Sequence, residues 1–133
     1  MKILSMPAGG ANIPLQFPPA DGWVGSGTAS GITVGTSLYC TTMTGPVYAD
    51  FSKVFSPANT SRTITANIRT VRARVFQIWI DGVQVASEGL SSNSSGTITA
   101  TLPAGNHTVF FRIWNMNSWP ADGTSYIDMI TCS

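Results

Sequence analysis

Short stretches of alternating hydrophobic and polar residues recur along the chain, and turn residues separate them. In residues 62–69, the apolar side chains Ile64, Ala66 and Ile68 alternate with threonine and asparagine. This period of two is typical of a strand with one face in a core and the other in water. No segment keeps a helical period of 3.6 residues for long. The pattern therefore predicts an all-β chain.

The alternation and the turn residues together place the strands. The predicted strands are Ile32–Tyr39, Val47–Phe55, Arg62–Arg69, Ala73–Ile80, Val83–Ser87, Thr97–Leu102, His107–Trp114 and Ser125–Thr131. About eight strands indicate a jelly-roll-like antiparallel β-sandwich. The dipeptide Asp81-Gly82 lies between two apolar runs and predicts a β-hairpin, because its two-residue turn requires positive φ angles.

The strand His107–Trp114 is apolar on both of its faces. Val109, Phe111 and Ile113 share the face that we assign to the core, whereas Phe110 and Trp114 lie on the other. Rings of this size are unusual on a plain solvent face. We therefore expect this second face to contact the N-terminal arm, a loop or another subunit.

The first thirty residues predict an extended arm ahead of a single domain at residues 31–133. Helix is excluded there by the prolines Pro7, Pro14, Pro18 and Pro19. Phe17 and Trp23 supply apolar anchors along the arm. The apolar start of the chain is interrupted at Pro7 before it reaches the length of a signal-peptide core, so no signal peptide is expected.

Charge is the most unusual feature of the composition. Charged residues make up 10% of the chain, against about 25% in a typical soluble domain. Much of the surface must then be hydroxyl, amide or apolar, which suits a face that meets a partner. The net charge of +1 disfavours nucleic acid as a partner. No apolar run is long enough for membrane insertion.

Basic charge is concentrated in one short stretch, which holds Arg62, Arg69, Arg72 and Arg74. Such a cluster could form a basic stripe on one sheet. Arginines on strands more often project into water or discourage pairing at a sheet edge, and we favour that interpretation.

Groups for catalysis are scarce. The chain has one histidine, His107, and one glutamate, Glu88, and most of its aspartates lie in Asp-Gly turns. Because titratable side chains are so few, no enzyme is expected. The residue spacings of zinc and calcium sites are missing, so no metal or other cofactor is expected.

Cys40 and Cys132 either form a disulfide between neighbouring strands or are two buried thiols.

Aromatic residues are the better candidates for binding. Trp119 lies in a loop rich in amides, and together with Asn117 and Tyr126 it predicts a glycan-binding site, because sugars stack on aromatic rings. A second set predicts an assembly interface and comprises Phe17, Trp23, Phe110 and Trp114.

Two segments of the C-terminal half resemble a known family. Residues 96–109 carry a strand, a Leu-Pro-Ala-Gly turn and a His-Thr strand, and residues 126–130 read Tyr-Ile-Asp-Met-Ile. Both are similar to segments of galactose-binding-like β-sandwiches, the fold of carbohydrate-binding modules of the family 6 and 35 type and also of phage virion accessory proteins. In such modules an asparagine that contacts sugar commonly precedes the Ile-Asp of the closing strand, and here Tyr126 occupies that position.

Two functions without catalysis follow from these observations. The first is a virion accessory subunit, a phage capsid-decoration or tail-associated protein that docks on a protein lattice as a homo-oligomer. Such a subunit would reach the virion surface after assembly in the host cytoplasm. The second is a carbohydrate-binding module or lectin that recognises a glycan, such as one on a cell surface, through its loop aromatics.

Overall fold

The computed structural model describes residues 15–17, 22–55, 60–115 and 119–132, which form β-strands and turns without a helix. The strands are β1 (Leu15–Phe17), β2 (Val24–Gly27), β3 (Thr33–Val34), β4 (Leu38–Cys40), β5 (Tyr48–Phe55), β6 (Arg62–Thr70), β7 (Arg74–Ile80), β8 (Val83–Leu90), β9 (Ser94–Leu102), β10 (His107–Trp114) and β11 (Ser125–Cys132). These ranges contain no helix that could cross a membrane.

The strands form two antiparallel sheets that enclose one core. The six-stranded sheet has the order β3-β4-β11-β6-β9, and β1 also pairs with β11. The five-stranded sheet has the order β2-β5-β10-β7-β8. The predicted all-β sandwich is confirmed. The predicted strand Ile32–Tyr39 is divided into β3 and β4 by a turn in which Gly35 N–H donates to the Ser37 carbonyl at 3.0 Å.

The predicted Asp-Gly hairpin joins β7 to β8. Asp81 and Gly82 have φ angles of 51° and 81°, as this turn requires. The Asp81 carboxylate accepts a hydrogen bond from the Thr108 backbone N–H at 2.9 Å and lies 2.6 Å from His107 Nδ1. The turn is therefore attached to β10 and does not project freely.

Period-two alternation builds the core. Ile64, Ala66 and Ile68 are buried, as are Val109, Phe111 and Ile113, all as predicted. The same alternation carries the intervening side chains of each strand to the outer faces of the sandwich.

Trp23 corrects one prediction about the assembly interface. Its side chain is 5% exposed and makes edge contacts with Phe55 and Phe111, at centroid distances of 6.0 and 5.6 Å. Because the next residue begins β2, which pairs with β5, Trp23 is held within the core. It is therefore a core residue, not a surface anchor for a partner.

The predicted arm contributes to both sheets where the structure describes it. β1 pairs with β11 of the six-stranded sheet, and β2 pairs with β5 of the five-stranded sheet. The predicted interface residue Phe17 lies in β1, opposite Ile130. Residues 1–14 and 18–21 lie outside the described ranges.

Cys40 of β4 and Cys132 of β11 are both thiols buried in the core. Of the two alternatives that the sequence left open, the structure therefore has the buried thiols. Burial raises the pKa of each thiol to about 11, which keeps both protonated at neutral pH.

A buried arginine holds the loop that precedes β11. Arg74 donates to its neighbour's carbonyl, Ala73 O, at 2.8 Å, and to the carbonyls of Ala121 and Asp122 at 3.3 and 3.2 Å. Burial lowers the pKa of Arg74. These hydrogen bonds replace part of the hydration that the guanidinium loses on burial. They also hold the loop in place at this end of the sandwich.

Candidate functional site

The outer face of the five-stranded sheet collects aromatic and charged side chains from its three central strands. Each strand contributes alternate residues, because their neighbours point into the core. We call this surface the aromatic face, and it comprises Tyr48 and Asp50 of β5, Gln77 and Trp79 of β7, and Phe110, Arg112 and Trp114 of β10.

Strand register brings these residues together. Arg112 lies between Asp50 on one neighbouring strand and Gln77 on the other. Phe110 lies beside Trp79, and Trp114 lies beside Tyr48. Side chains directly opposite one another in adjacent antiparallel strands are in contact distance, so the face forms one continuous patch.

An arginine and aspartate pair occupies the centre of the aromatic face. Arg112 Nε donates to Asp50 Oδ1 at 2.8 Å, and Arg112 Nη2 donates to Asp50 Oδ2 at 3.0 Å. The two side chains are 24% and 16% exposed. These two parallel hydrogen bonds raise the pKa of Arg112, and they hold the guanidinium in one orientation.

Aromatic rings surround that guanidinium. The Cζ atom of Arg112 lies 4.3 Å from the ring centroid of Tyr48, 5.0 Å from that of Trp79 and 5.4 Å from that of Phe110. Trp79 and Phe110 stack with a centroid distance of 5.3 Å and an interplanar angle of 12°. The indole N–H of Trp79 donates to Gln77 Oε1 at 3.0 Å. The rings are therefore fixed by their neighbours before any ligand binds.

The arrangement combines apolar ring surface with a neutralised ion pair and an amide. Its aromatic residues are half-buried although they lie on an outer face. Trp79 stacks on Phe110, and Tyr48 lies beside the guanidinium of Arg112. Such a surface can stack on the apolar side of a ligand and exchange hydrogen bonds with its polar groups.

Apolar surface continues beyond the rings on the same sheet. Val24 and Val54 are 63% and 65% exposed. Together with Ser52 and Thr108 they border a shallow depression of about 310 Å³. Because Ser52 lies opposite Phe110, the depression adjoins the aromatic face.

The six-stranded sheet carries a second cluster on its own outer face. Arg69 of β6 donates from Nε to Asp128 Oδ2 at 2.7 Å, and its Cζ lies 3.5 Å from the ring centroid of Tyr126. Tyr39 packs against Tyr126 with a centroid distance of 5.7 Å. The hydrogen bond to Asp128 raises the pKa of Arg69.

The predicted glycan-binding residues that the structure describes are Tyr126 and Trp119. Tyr126 is in β11, within the second cluster. Trp119 lies in the loop before β11 and is half-buried, and Asn117 lies outside the described residues. Of the predicted assembly residues, Phe110 and Trp114 lie on the aromatic face.

The sequence missed Tyr48, Asp50 and Trp79 as members of the site. Alternation within β5 indicates that Tyr48 and Asp50 share one face, but in β7 both faces are rich in apolar side chains, so alternation does not place Trp79. What the sequence lacked was the order β5-β10-β7, which makes them neighbours.

The basic stretch does not form a stripe. Arg62 and Arg74 are buried, whereas Arg69 pairs with Asp128 and Arg72 pairs with Asp122. Within the described ranges, no three His, Cys, Asp or Glu side chains are grouped so that they could hold a metal ion.

Comparison with known proteins identifies the fold. No protein-family model and no curated protein sequence matches the chain. A xylan-binding module of family 15 superposes with a TM-score of 0.63 at 17% identity, over 92% of this chain and 96% of that one. A family 61 carbohydrate-binding module, solved in complex with β-1,4-galactotriose, superposes with a TM-score of 0.62 at 9% identity, over 87% and 90% of the two chains.

A bacteriophage protein also shares the architecture. The enzymatically active domain of tailspike protein 4 from bacteriophage CBA120 superposes with a TM-score of 0.52 at 15% identity, over 86% of this chain and 20% of that one. At such identities a match shows the fold alone. The chain therefore has the β-sandwich of carbohydrate-binding modules, which confirms the resemblance that its C-terminal half predicted.

Proposed function

We propose that the protein binds glycans, without catalysis, through the aromatic face of its five-stranded sheet. The observation that carries this proposal is the set of fixed rings around the Arg112–Asp50 pair. It supports the second of the two functions that the sequence suggested, but it moves the binding surface from the loop around Trp119 to the sheet.

The chemistry of the aromatic face suits a sugar. One side of a pyranose ring presents C–H groups that pack on an aromatic ring, while its edges carry hydroxyls that both donate and accept hydrogen bonds. Trp79 and Phe110 supply ring surface, and Asp50 and Gln77 supply acceptors at their side. Since these side chains are already held by their neighbours, binding loses little rotamer freedom.

The shape of the face favours an oligosaccharide over a single sugar. It extends from β5 across β10 to β7, and two strand spacings correspond to about 10 Å. The adjoining apolar depression beside Val24 and Val54 lengthens it further. An open surface of this kind binds a stretch of chain, with successive sugar rings on successive side chains.

Charge on the aromatic face favours a neutral glycan. Arg112 is neutralised by Asp50 through two hydrogen bonds, so the centre of the face carries no net charge. The named ligands of the similar structures, xylan and β-1,4-galactotriose, are neutral or nearly so and provide the first probes.

A glycan array tests the proposal, with xylan and β-1,4-galactan fragments included and the acidic polysaccharides as a contrast. We expect the wild type to bind neutral oligosaccharides and Trp79→Ala to lose at least about tenfold in affinity, which corresponds to about 1.4 kcal/mol. Val83→Ala is the control, because Val83 is also apolar and is 62% exposed, but it lies on β8 opposite Ile80, whose side chain is on the core side of the sheet. Thermal unfolding of both variants would show that the fold is intact. Equal binding by wild type and Trp79→Ala would overturn the proposal.

Absence of catalysis rests on the side chains that are available. His107 is hydrogen bonded to Asp81 and to the Ala104 carbonyl within its turn, and Glu88 is exposed on β8. The aromatic face offers one carboxylate, Asp50, whereas glycoside hydrolysis commonly uses a pair of carboxyl groups. Incubation with the bound oligosaccharide should therefore release no shorter product.

Docking on a protein lattice as a virion accessory subunit is the second candidate function. The exposed side chains of Val24 and Val54 favour it, as does the low content of charged residues. In that case light scattering should show a homo-oligomer that dissociates in Val24→Ser and Val54→Ser variants. A monomer at all accessible concentrations would remove the support for self-assembly.

A further inference from the structure

We infer that the aromatic face is selective for acetylated sugars, whose acetyl carbonyl accepts hydrogen bonds from Arg112 and Gln77. This inference rests on the proposed function, because it requires the glycan to lie on that face, and it adds the chemical class of the ligand. The recognised chemistry is a carbonyl oxygen next to a methyl group. N-acetylated and O-acetylated sugars both carry it.

The guanidinium of Arg112 keeps hydrogen-bond donors after it pairs with Asp50. Of the five N–H groups that a guanidinium carries, Asp50 accepts from one on Nε and from one on Nη2. Both N–H groups of Nη1 and the second N–H of Nη2 remain. Nη1 has no hydrogen-bond partner among the described residues, and it is not shielded from solvent. The edge between Nη1 and Nη2 is therefore open to a ligand.

The side-chain amide of Gln77 adds further donors, because Gln77 lies opposite Arg112 in the β7–β10 register. The orientation of this amide is fixed. The indole N–H of Trp79 can only donate, so the atom 3.0 Å from it is the carbonyl oxygen Oε1 of Gln77. Nε2 is then the other end of the amide, and its N–H groups have no partner among the described residues. Two adjacent strands thus present donors on the same face.

This excess of donors selects a ligand group that accepts hydrogen bonds without donating one at the same atom. The acceptors of the face already have partners, since Asp50 accepts from Arg112 and Gln77 Oε1 accepts from Trp79. A sugar hydroxyl brings a proton of its own, which needs a further acceptor. A carbonyl oxygen has two lone pairs and no proton. It can therefore accept from both Arg112 and Gln77, and it leaves fewer polar groups unpaired.

Charge and ring surface favour an acetyl group over the carboxylate of a uronic acid. A uronic acid would place a second carboxylate beside Asp50, in a pair whose side chains are only 24% and 16% exposed. Like charges repel strongly where water is partly excluded, and the removal of a charge from water is costly. An acetyl group is neutral. Its methyl group can pack on the three rings that lie 4.3, 5.0 and 5.4 Å from the guanidinium carbon.

Isothermal titration calorimetry with matched oligosaccharides tests this inference. The N-acetyl arm compares chitotriose with cellotriose, which has the same backbone but a hydroxyl in place of each acetamido group. The O-acetyl arm compares mono-O-acetylated xylotriose with xylotriose, and trigalacturonic acid is the carboxylate probe. In at least one arm, the acetylated sugar should bind at least about tenfold more tightly than its plain counterpart. The arm that shows this preference identifies the linkage that the face accepts.

The variant Gln77→Glu tests whether the preference comes from these donors. It keeps an acceptor for the Trp79 indole N–H but replaces the Nε2 donors with an oxygen, so the ratio of acetylated to plain affinity should fall about tenfold. Arg112→Lys keeps the positive charge beside Asp50 but loses the planar fork, and it should lower the same ratio. Asn67→Asp is the matched control, because it makes the same amide-to-carboxylate change at an exposed position of the other sheet. Its ratio should equal that of the wild type, and thermal unfolding would show that all three variants are folded.

The outcomes separate this inference from the proposed function. If Trp79→Ala abolishes binding but acetylated and plain sugars bind equally, or trigalacturonic acid binds most tightly, the face is a glycan site without acetyl selectivity and only this inference fails. A preference that survives in both Gln77→Glu and Arg112→Lys would also overturn it, because the preference would then arise from other groups. If no oligosaccharide binds, or Trp79→Ala keeps all binding, the proposed function fails and this inference fails with it.

Discussion

Breaking the ion pair at the centre of the aromatic face gives the most quantitative test of how that face is built. The pair is examined with a double-mutant cycle of Asp50→Ala and Arg112→Ala, in which the free energy of unfolding is measured for both single variants and for the double variant. The cycle isolates the energy with which the two side chains stabilise each other.

The expected coupling energy follows from geometry and exposure. Two hydrogen bonds of 2.8 and 3.0 Å join the side chains, which are 24% and 16% exposed. Fully exposed ion pairs contribute about 0.2–1 kcal/mol, whereas hydrogen bonds to charged groups away from water contribute about 1.5–3 kcal/mol. A pair of intermediate exposure should therefore couple by about 1–2 kcal/mol.

The Asp50→Ala variant alone should lose about 2 kcal/mol, because it leaves Arg112 charged and half-buried without its anion. The rings of Tyr48, Trp79 and Phe110 compensate for part of that loss. For a domain of this size, 2 kcal/mol lowers Tm by about 6–10 °C.

Urea unfolding followed by tryptophan fluorescence measures all four proteins, first in low salt and then in about 0.5 M NaCl, where exposed charges are largely screened. The control is an identical cycle on Arg72 and Asp122, whose single hydrogen bond of 2.9 Å joins side chains that are 40% and 72% exposed. The control pair is more exposed and should couple more weakly than the Arg112–Asp50 pair. If the Arg112–Asp50 coupling is equally small, or disappears in salt, the face is not held rigid by this pair and the reasoning is refuted.

Three further predictions concern stability and reactivity. The hydrogen bond between His107 and Asp81 raises the pKa of His107 and lowers the pKa of Asp81. The stability that His107 contributes is therefore complete below its ordinary pKa of 6.5 and is lost as pH rises through the raised pKa. The stability that Asp81 contributes is complete above its ordinary pKa of 3.8 and is lost as pH falls through the lowered pKa. Urea midpoints from pH 3 to 9 should show both declines, and His107→Gln should remove the alkaline one. Cys40 and Cys132, with pKa values of about 11, should resist a thiol reagent at neutral pH until urea exposes them; rapid reaction of the folded protein would contradict their burial. Gly27→Ala should destabilise by about 2 kcal/mol or more in thermal unfolding, because φ is +125° and the new Cβ would lie 2.4 Å from a carbonyl oxygen of β5; an unchanged Tm would show that the close approach does not exist.

Local patterns were sufficient to predict most strands. The alternation of Ile64, Ala66 and Ile68 with polar residues specifies which face of β6 is buried. The dipeptide Asp81-Gly82 specifies a turn, because few other residues adopt its φ angles without strain. These signals lie within a few residues of one another, and they need no knowledge of the rest of the fold.

The aromatic face could be predicted only in part. Phe110 and Trp114 were recognised as unusual outward residues of their strand, but Tyr48 and Trp79 were not joined to them. In β7 both faces are rich in apolar side chains, so alternation alone does not say which face contacts the core. The decisive fact is the pairing of β10 with both β5 and β7, which depends on contacts between residues far apart in sequence.

Trp23 was predicted to lie at an assembly interface, but it is buried in the core. Its neighbourhood is rich in glycine and proline, which correctly excludes helix but says nothing about burial. The pairing of β2 with β5 decides its place, since it brings the indole against Phe55 and Phe111. Short edge strands of this kind carry little local signal and form because the sheet beside them provides partners.

The central claim is that glycans bind on the aromatic face, and the indole N–H resonances of the four tryptophans test it most directly. Addition of β-1,4-galactotriose, xylan fragments or the strongest ligand of the glycan array should shift the signals of Trp79 and Trp114. The buried Trp23 should keep its position. A shift confined to Trp119, or no shift of any indole by an oligosaccharide that binds, would contradict the account.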